Sequence, residues 1–136
     1  MVLTQAMYEG DLRCSVKHGP TGTTIRTDAP KDNQGRGEMF SPTDLLGAAL
    51  GSCMLTIMGI YARNHNLDLA GATVDVAKDM TSTPPRRVGR FTITVKIPKP
   101  VPQEQRKALE NAGLTCPVEK SLHPDIERVV KFVYGQ

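Results

Sequence analysis

Tryptophan is absent from the 136 residues, and phenylalanine and tyrosine together supply only six aromatic rings. Charge of one sign is also scarce: 17 Lys and Arg against 14 Asp and Glu leave a formal net charge of +3. With the basic residues scattered and no aromatic platform among them, nucleic-acid binding is not expected. Cysteine occurs three times, at Cys14, Cys53 and Cys116, an odd number that cannot pair completely within one chain. There is no CxxC and no Cys/His cluster at zinc spacing, so neither a metal site nor another cofactor is expected. No charged-then-apolar leader precedes the first strand-like residues. Together these absences point to a reducing, cytoplasmic compartment and to thiols that are free or catalytic. No internal repeat or low-complexity tract appears, and the length suits one domain spanning residues 1–136 with a real hydrophobic core.

What the sequence does have is one long apolar run, Ser41 to Leu69. Ser41 is placed as an N-cap, Pro42 suits the first helical position, and Asp44 stands where a capping box carries its acid. A helix from Pro42 to about Asn64 would span roughly 34 Å. Leu46, Ala49, Leu50, Cys53, Ile57 and Ile60 recur at spacings of three and four, which predicts a core-facing stripe with Cys53 buried on it. Gly47, Gly51 and Gly59 each cost a helix about 1 kcal/mol relative to alanine, so they predict close approach by another backbone or helix. A membrane span is not expected, because the 18 residues between Asp44 and Arg63 are broken by glycines, Ser52 and Thr56. Apolar residues on nearly every side predict a central helix covered partly by a second copy of the chain.

The flanks read as strands and short helices. Val2–Glu9, Leu12–Lys17 and Thr23–Thr27 are strand-like, separated by Gly10-Asp11 and by the 18–22 turn. Residues 28–40 lack periodicity and deliver Arg36 and Glu38 just before the long helix; loops of that length are often functional. Residues 72–78 and 91–97 alternate as strands, the second most cleanly. A helix from Gln103 to about Asn111 is expected to close at Gly113. Cys116-Pro117, with Glu119 three residues on, reads as a second capped helix, and Ile126–Tyr134 as a final strand. Strands at both ends with helices between them make an α+β domain.

Taken singly, the cysteines have plain readings. A free cysteine is among the most often buried residues, which suits Cys53 and Cys14 as packing groups. Cys116, at a helix start, is placed where a thiol ionises more readily, although small residues commonly cap helices. His18, His65 and His123 sit beside turns at no fixed spacing from a thiol. A cysteine-dependent acyl hydrolase, which needs a base near its nucleophile, is therefore the weakest reading.

Taken together, SPTDLLGAALGSCM and LTCPVEKSL resemble the OsmC/Ohr family of osmotically induced and organic hydroperoxide resistance proteins. YEGDL at Tyr8–Leu12 and the C-terminal IERVVKFVY are similar to it as well, so the resemblance covers nearly the whole chain. It implies an OsmC-like fold, an intertwined homodimer with antiparallel sheets around paired central helices. It also implies thiol-dependent reduction of a small hydrophobic hydroperoxide. Cys53 would attack the peroxide, Cys116 would resolve the sulfenic acid, and an external thiol or dithiol would restore both. Members of the family hold an activating arginine with a glutamate ten residues before the first cysteine. Thr43 stands there in this chain. Asp44 is one replacement, Glu38 with Arg36 another, and Arg13 and Arg26 are competing cations. The alternative is a non-catalytic stress protein whose apolar, methionine-rich helix (Met54, Met58) helps bind a small hydrophobic ligand.

Overall fold

The computed structural model describes residues 1–135, which fall into two compact units, one of residues 1–46 and one from Gly47 onward. The first is an antiparallel sheet of three strands in sequence order, β1 (Thr4–Gly10), β2 (Arg13–His18) and β3 (Thr24–Asp28). Asp11 and Leu12 join β1 to β2, both at positive φ (55° and 63°), the twist that two-residue hairpins favour. Between Tyr8 and Gly10 the register slips. Glu9 at that slip receives two hydrogen bonds from Arg26, at 2.9 and 3.1 Å.

Residues 28–40 are better ordered than their lack of periodicity suggests. A 3₁₀ turn forms at Lys31–Asn33, and the ends of the segment meet where the Asp28 N–H donates to the Phe40 carbonyl at 3.1 Å. Gly35 is required there, since a Cβ on it would lie 1.8 Å from the Ala29 carbonyl oxygen.

Helix α1 (Pro42–Asn64) begins with the expected capping box. The Asp44 N–H donates to Ser41 Oγ at 3.1 Å, and the Ser41 N–H donates to Asp44 Oδ2 at 2.9 Å. Beyond it the second unit contains β4 (Thr73–Met80), β5 (Val88–Ile97), α2 (Gln103–Leu114), α3 (Pro117–Ser121) and β6 (Glu127–Tyr134). β5 is central, antiparallel to β4 and parallel to β6. Parallel neighbours need a long crossover, which α2 and α3 supply. The alternation read in β5 holds: Phe91, Ile93, Val95 and Ile97 are all buried.

The buried face of α1 differs from the predicted stripe. It consists of Gly47, Leu50, Gly51, Met54, Met58 and Ala62, while Ala49 and Ile60 are exposed and Leu46, Cys53 and Ile57 are half-buried. Only Leu50 is shared. Both sets have helical spacing, and an all-round apolar run does not say which set faces the sheet. The glycines do. A Cβ on Gly51 would meet Val74 Cγ1 at 2.9 Å and Val76 Cγ2 at 3.0 Å, and one on Gly47 would meet Phe91 Cε1 at 3.2 Å. Side chains of β4 and β5 approach them, not the backbone or second helix that was expected, and among the described residues nothing lies within 4 Å of a Cβ on Gly59. By length and composition α1 could cross a membrane, but its glycine stripe lies on this sheet as a core helix does.

Gly113 does not close α2. It is buried inside the helix, where a Cβ would lie 2.8 Å from Met58 Sδ, and α2 runs on to Leu114. This glycine clears space for a methionine and does not supply a left-handed cap.

Candidate functional site

Two groupings of reactive side chains stand out, one in each unit. The first is the thiol pair. Cys53 lies half-buried on the flank of α1, beside the buried stripe and not on it. Cys116 is wholly buried. It is the N-cap of α3, with Pro117 at the first helical position, and its Sγ accepts the Glu119 N–H at 3.4 Å. Burial pushes the Cys116 thiol above its ordinary pKa, the Glu119 N–H pulls it back, and the neighbouring Cys53 thiol pushes it up again. The fold thus brings the two predicted cysteines side by side. Cys14 lies in β2 of the first unit, opposite Tyr8 and Thr27.

Around Cys116 the chain is fastened by Arg128 of β6. Its Nε donates to Glu119 Oε2 at 2.9 Å, Nη2 to the Glu119 carbonyl at 3.4 Å, and Nη1 to the carbonyls of His123 (3.2 Å) and Ile126. Glu119 and Arg128 border a cleft of about 430 Å³, counting its open mouth, whose other walls are Met54, Ile93, Gly113, Leu114 and Val130. Neither Glu119 nor Arg128 stood out in the sequence as a site residue. The Cys-Pro-x-Glu spacing marks Glu119 as a cap, but Arg128 is one of three charged residues in a strand-like segment, and only the crossover brings it back to Cys116.

The second grouping lies in the first unit. Glu38 pairs with Arg13, not with Arg36 as one reading of the sequence had it. Arg13 also lies 3.5 Å from Asp28, whose Oδ2 accepts the Glu38 N–H at 3.0 Å. That N–H holds the Asp28 carboxyl below its ordinary pKa, with help from Arg13, while the two carboxylates raise the Arg13 guanidinium. Asp28 is buried, whereas Arg36 is exposed and, among the described residues, paired with no carboxylate. Arg26 is taken by Glu9. Asp44 is committed to the start of α1. Asp28 was missed because it ends a strand, and a buried acid closing a loop has no sequence signature.

Among the described residues no histidine is hydrogen-bonded to a thiol. His18 bonds Thr21, His65 stacks on Tyr61 and bonds its carbonyl, and His123 accepts the Asp125 N–H. Among the described residues no group of three or more His, Cys, Asp or Glu is placed to hold a metal ion.

Comparison with known proteins adds the family. No functionally curated protein matches the sequence. Among solved structures, a protein of Psychrobacter arcticus 273-4, provisionally described as an osmotic stress induced and detoxification response protein, is 48% identical. That similarity covers 97% of this chain and 96% of the other, with a TM-score of 0.91. The fold recurs in an OsmC like protein of Mycoplasma pneumoniae (15% identity, TM-score 0.84, 100% and 98% of the two chains). It recurs too in an organic hydroperoxide resistance protein of Elizabethkingia anophelis (17%, TM-score 0.78, 98% and 96%). The family model described as OsmC-like protein matches residues 35–130, a segment that contains both paired cysteines and most of the fold. The chain belongs to the OsmC-like protein family.

Proposed function

We propose that this protein is a thiol-dependent peroxidase that reduces organic hydroperoxides, with Cys53 as the attacking thiol and Cys116 as the resolving one. The observation that carries this is the adjacency of two free thiols of unequal exposure, Cys53 half-buried and Cys116 wholly buried. The more open sulfur meets the peroxide. Cys53 thiolate attacks the terminal oxygen, the O–O bond breaks, and the alcohol departs with a proton, leaving Cys53–SOH. Cys116 then attacks that sulfur, the S–O bond breaks and water leaves, forming a disulfide that an external dithiol reduces. The name of the Elizabethkingia protein supports the substrate class.

The proposed assembly is a homodimer in a reducing, cytoplasmic compartment. Its support is apolar surface: Met7, Tyr8, Leu12 and Ile25 in the first unit and Ile60 on α1 are all exposed in the single chain. A three-stranded sheet with such faces bare is a poor independent unit. Sedimentation at low micromolar concentration tests this, and a stable folded monomer there would sink it.

Activity is tested by giving reduced protein one equivalent of cumene hydroperoxide and mapping the products by mass spectrometry. Thiol loss with a Cys53–Cys116 disulfide is expected. Retained thiols would end the peroxidase reading and leave the alternative of a ligand-binding stress protein, to be judged by whether Cys53→Ser still binds an apolar probe.

A further inference from the structure

We infer that Arg128 is a positioning residue for the Cys116 thiol, acting through Glu119 to set the resolving sulfur for disulfide closure. The inference rests on the peroxidase reading for its chemistry and on the geometry around α3 for its content. A five-residue helix has too few internal hydrogen bonds to hold its own place. Glu119 is the residue that ties it down, because three of its groups are engaged at once. Its carboxylate and its carbonyl both receive Arg128, and its N–H is the donor to Cys116 Sγ. One residue therefore separates the guanidinium from the sulfur.

Arg128 also grips the carbonyls of His123 and Ile126, so a single side chain fixes α3, the turn after it and the start of β6. Its side chain is 16% exposed and that of Glu119 25%, so the pair is sheltered enough for charge-assisted bonds to hold a geometry. Disulfide closure needs that control. Sulfur must reach sulfur with the Cβ–S–S–Cβ torsion near a right angle, and an error of about 1 Å in a reacting group can cost on the order of 100-fold in rate.

The closing step is attack by Cys116 sulfur on the sulfenic sulfur of Cys53. The S–S bond forms, the S–O bond breaks, and the departing hydroxide takes up the proton that Cys116 loses. Cys116 is oxidised and the Cys53 sulfur is reduced. Sulfenic acid formation at Cys53 does not involve Arg128 in this scheme, and that separates positioning from general support.

The experiment compares wild type with Arg128→Met, Arg128→Lys, Glu119→Ala and Glu119→Gln, each confirmed folded by circular dichroism. With one equivalent of cumene hydroperoxide, disulfide appearance should slow about tenfold or more in Arg128→Met and Glu119→Ala. Glu119→Gln, which keeps an acceptor for the guanidinium, should recover much of the rate. In a Cys116→Ser background, dimedone trapping of Cys53–SOH should proceed equally fast with Arg128 or with methionine. Should Arg128→Met not fold, Arg128→Lys decides the matter, since it keeps the charge and loses the fork. Unchanged closure in the folded variants, or an equal slowing of sulfenic acid formation, would overturn the inference. If wild type forms no sulfenic acid at all, the peroxidase reading has failed. The positioning claim is then decided by the equilibrium between the Cys53/Cys116 dithiol and oxidised dithiothreitol. The effective concentration of the two thiols should fall about tenfold in Arg128→Met, and an unchanged value would overturn it.

Discussion

Placing a methyl group on Gly51 tests whether α1 rests directly on β4. Two effects oppose each other. Alanine is favoured over glycine in a helix interior by about 1 kcal/mol. Against this, the new Cβ would stand 2.9 Å from Val74 Cγ1 and 3.0 Å from Val76 Cγ2, well inside the 3.5–4.0 Å at which carbon atoms pack. Both valines are stiff at χ1, so neither side chain swings clear easily. Among the described residues β4 is an outer strand bonded only to β5 and can yield a little, which puts the overpacking cost at about 1–3 kcal/mol. Gly51→Ala should therefore be neutral to about 2 kcal/mol destabilising, and Gly51→Leu, with three more carbons, worse than about 3 kcal/mol. In a Val74→Ala/Val76→Ala background the offending methyls are gone and the same Gly51→Ala change should stabilise by up to about 1 kcal/mol. The sign reversal is the signature. Urea unfolding followed by circular dichroism at one fixed protein concentration measures it, concentration mattering because a dimer would add mass action. A Gly51→Ala protein that gains stability in the wild-type background would refute the contact.

Three further outcomes are expected. Asp28 has a folded-state pKa below its unfolded value, so its contribution is present above pH 4–5 and is lost as the carboxyl protonates. Asp28→Asn should then be less stable than wild type at neutral pH, the gap closing below about pH 4, and a pH-independent gap in thermal melts would contradict the assignment. Ser41→Ala removes the acceptor for the Asp44 N–H and should cost about 1 kcal/mol by the same urea assay; no change in midpoint would deny the cap its role. Because burial raises the Cys116 thiol above its ordinary pKa of 9.0, single-turnover disulfide closure should climb about tenfold per pH unit between pH 7 and 9. A plateau before pH 8 would show that the thiol ionises more easily than its surroundings imply.

Local signals in the sequence were read well where the cause was local. The Ser41/Asp44 capping box, the Cys116-Pro117 helix start and the alternation through Phe91, Ile93, Val95 and Ile97 each depend on a few neighbours, and each is present. Family resemblance supplied the fold. What sequence could not show was direction. Apolar residues surround α1, so the choice between the Leu46/Cys53/Ile60 stripe and the Gly47/Met54/Met58 stripe depends on where β4 and β5 lie. The Gly113 error has the same origin, since a glycine that ends a helix and one that makes room for Met58 look alike until the neighbour is known. Arg13 was one of several arginines until β3 and the 28–40 segment folded Asp28 and Glu38 onto it. The Arg128–Glu119 tie depends on the parallel pairing of β6 with β5.

That pairing has a consequence for biosynthesis. A hairpin can close as soon as its second strand emerges, but β6 is the last strand made, and nothing can dock α3 until Arg128 has been translated. Cys53 leaves the ribosome early, while Cys116 follows 63 positions later and finds its seat only after the final strand has zipped beside β5. During synthesis the two sulfurs therefore belong to unconnected stretches of chain, and an oxidant met at that stage encounters each thiol alone. The nascent polypeptide is born with its two thiols apart, and brings them together as the closing act of folding.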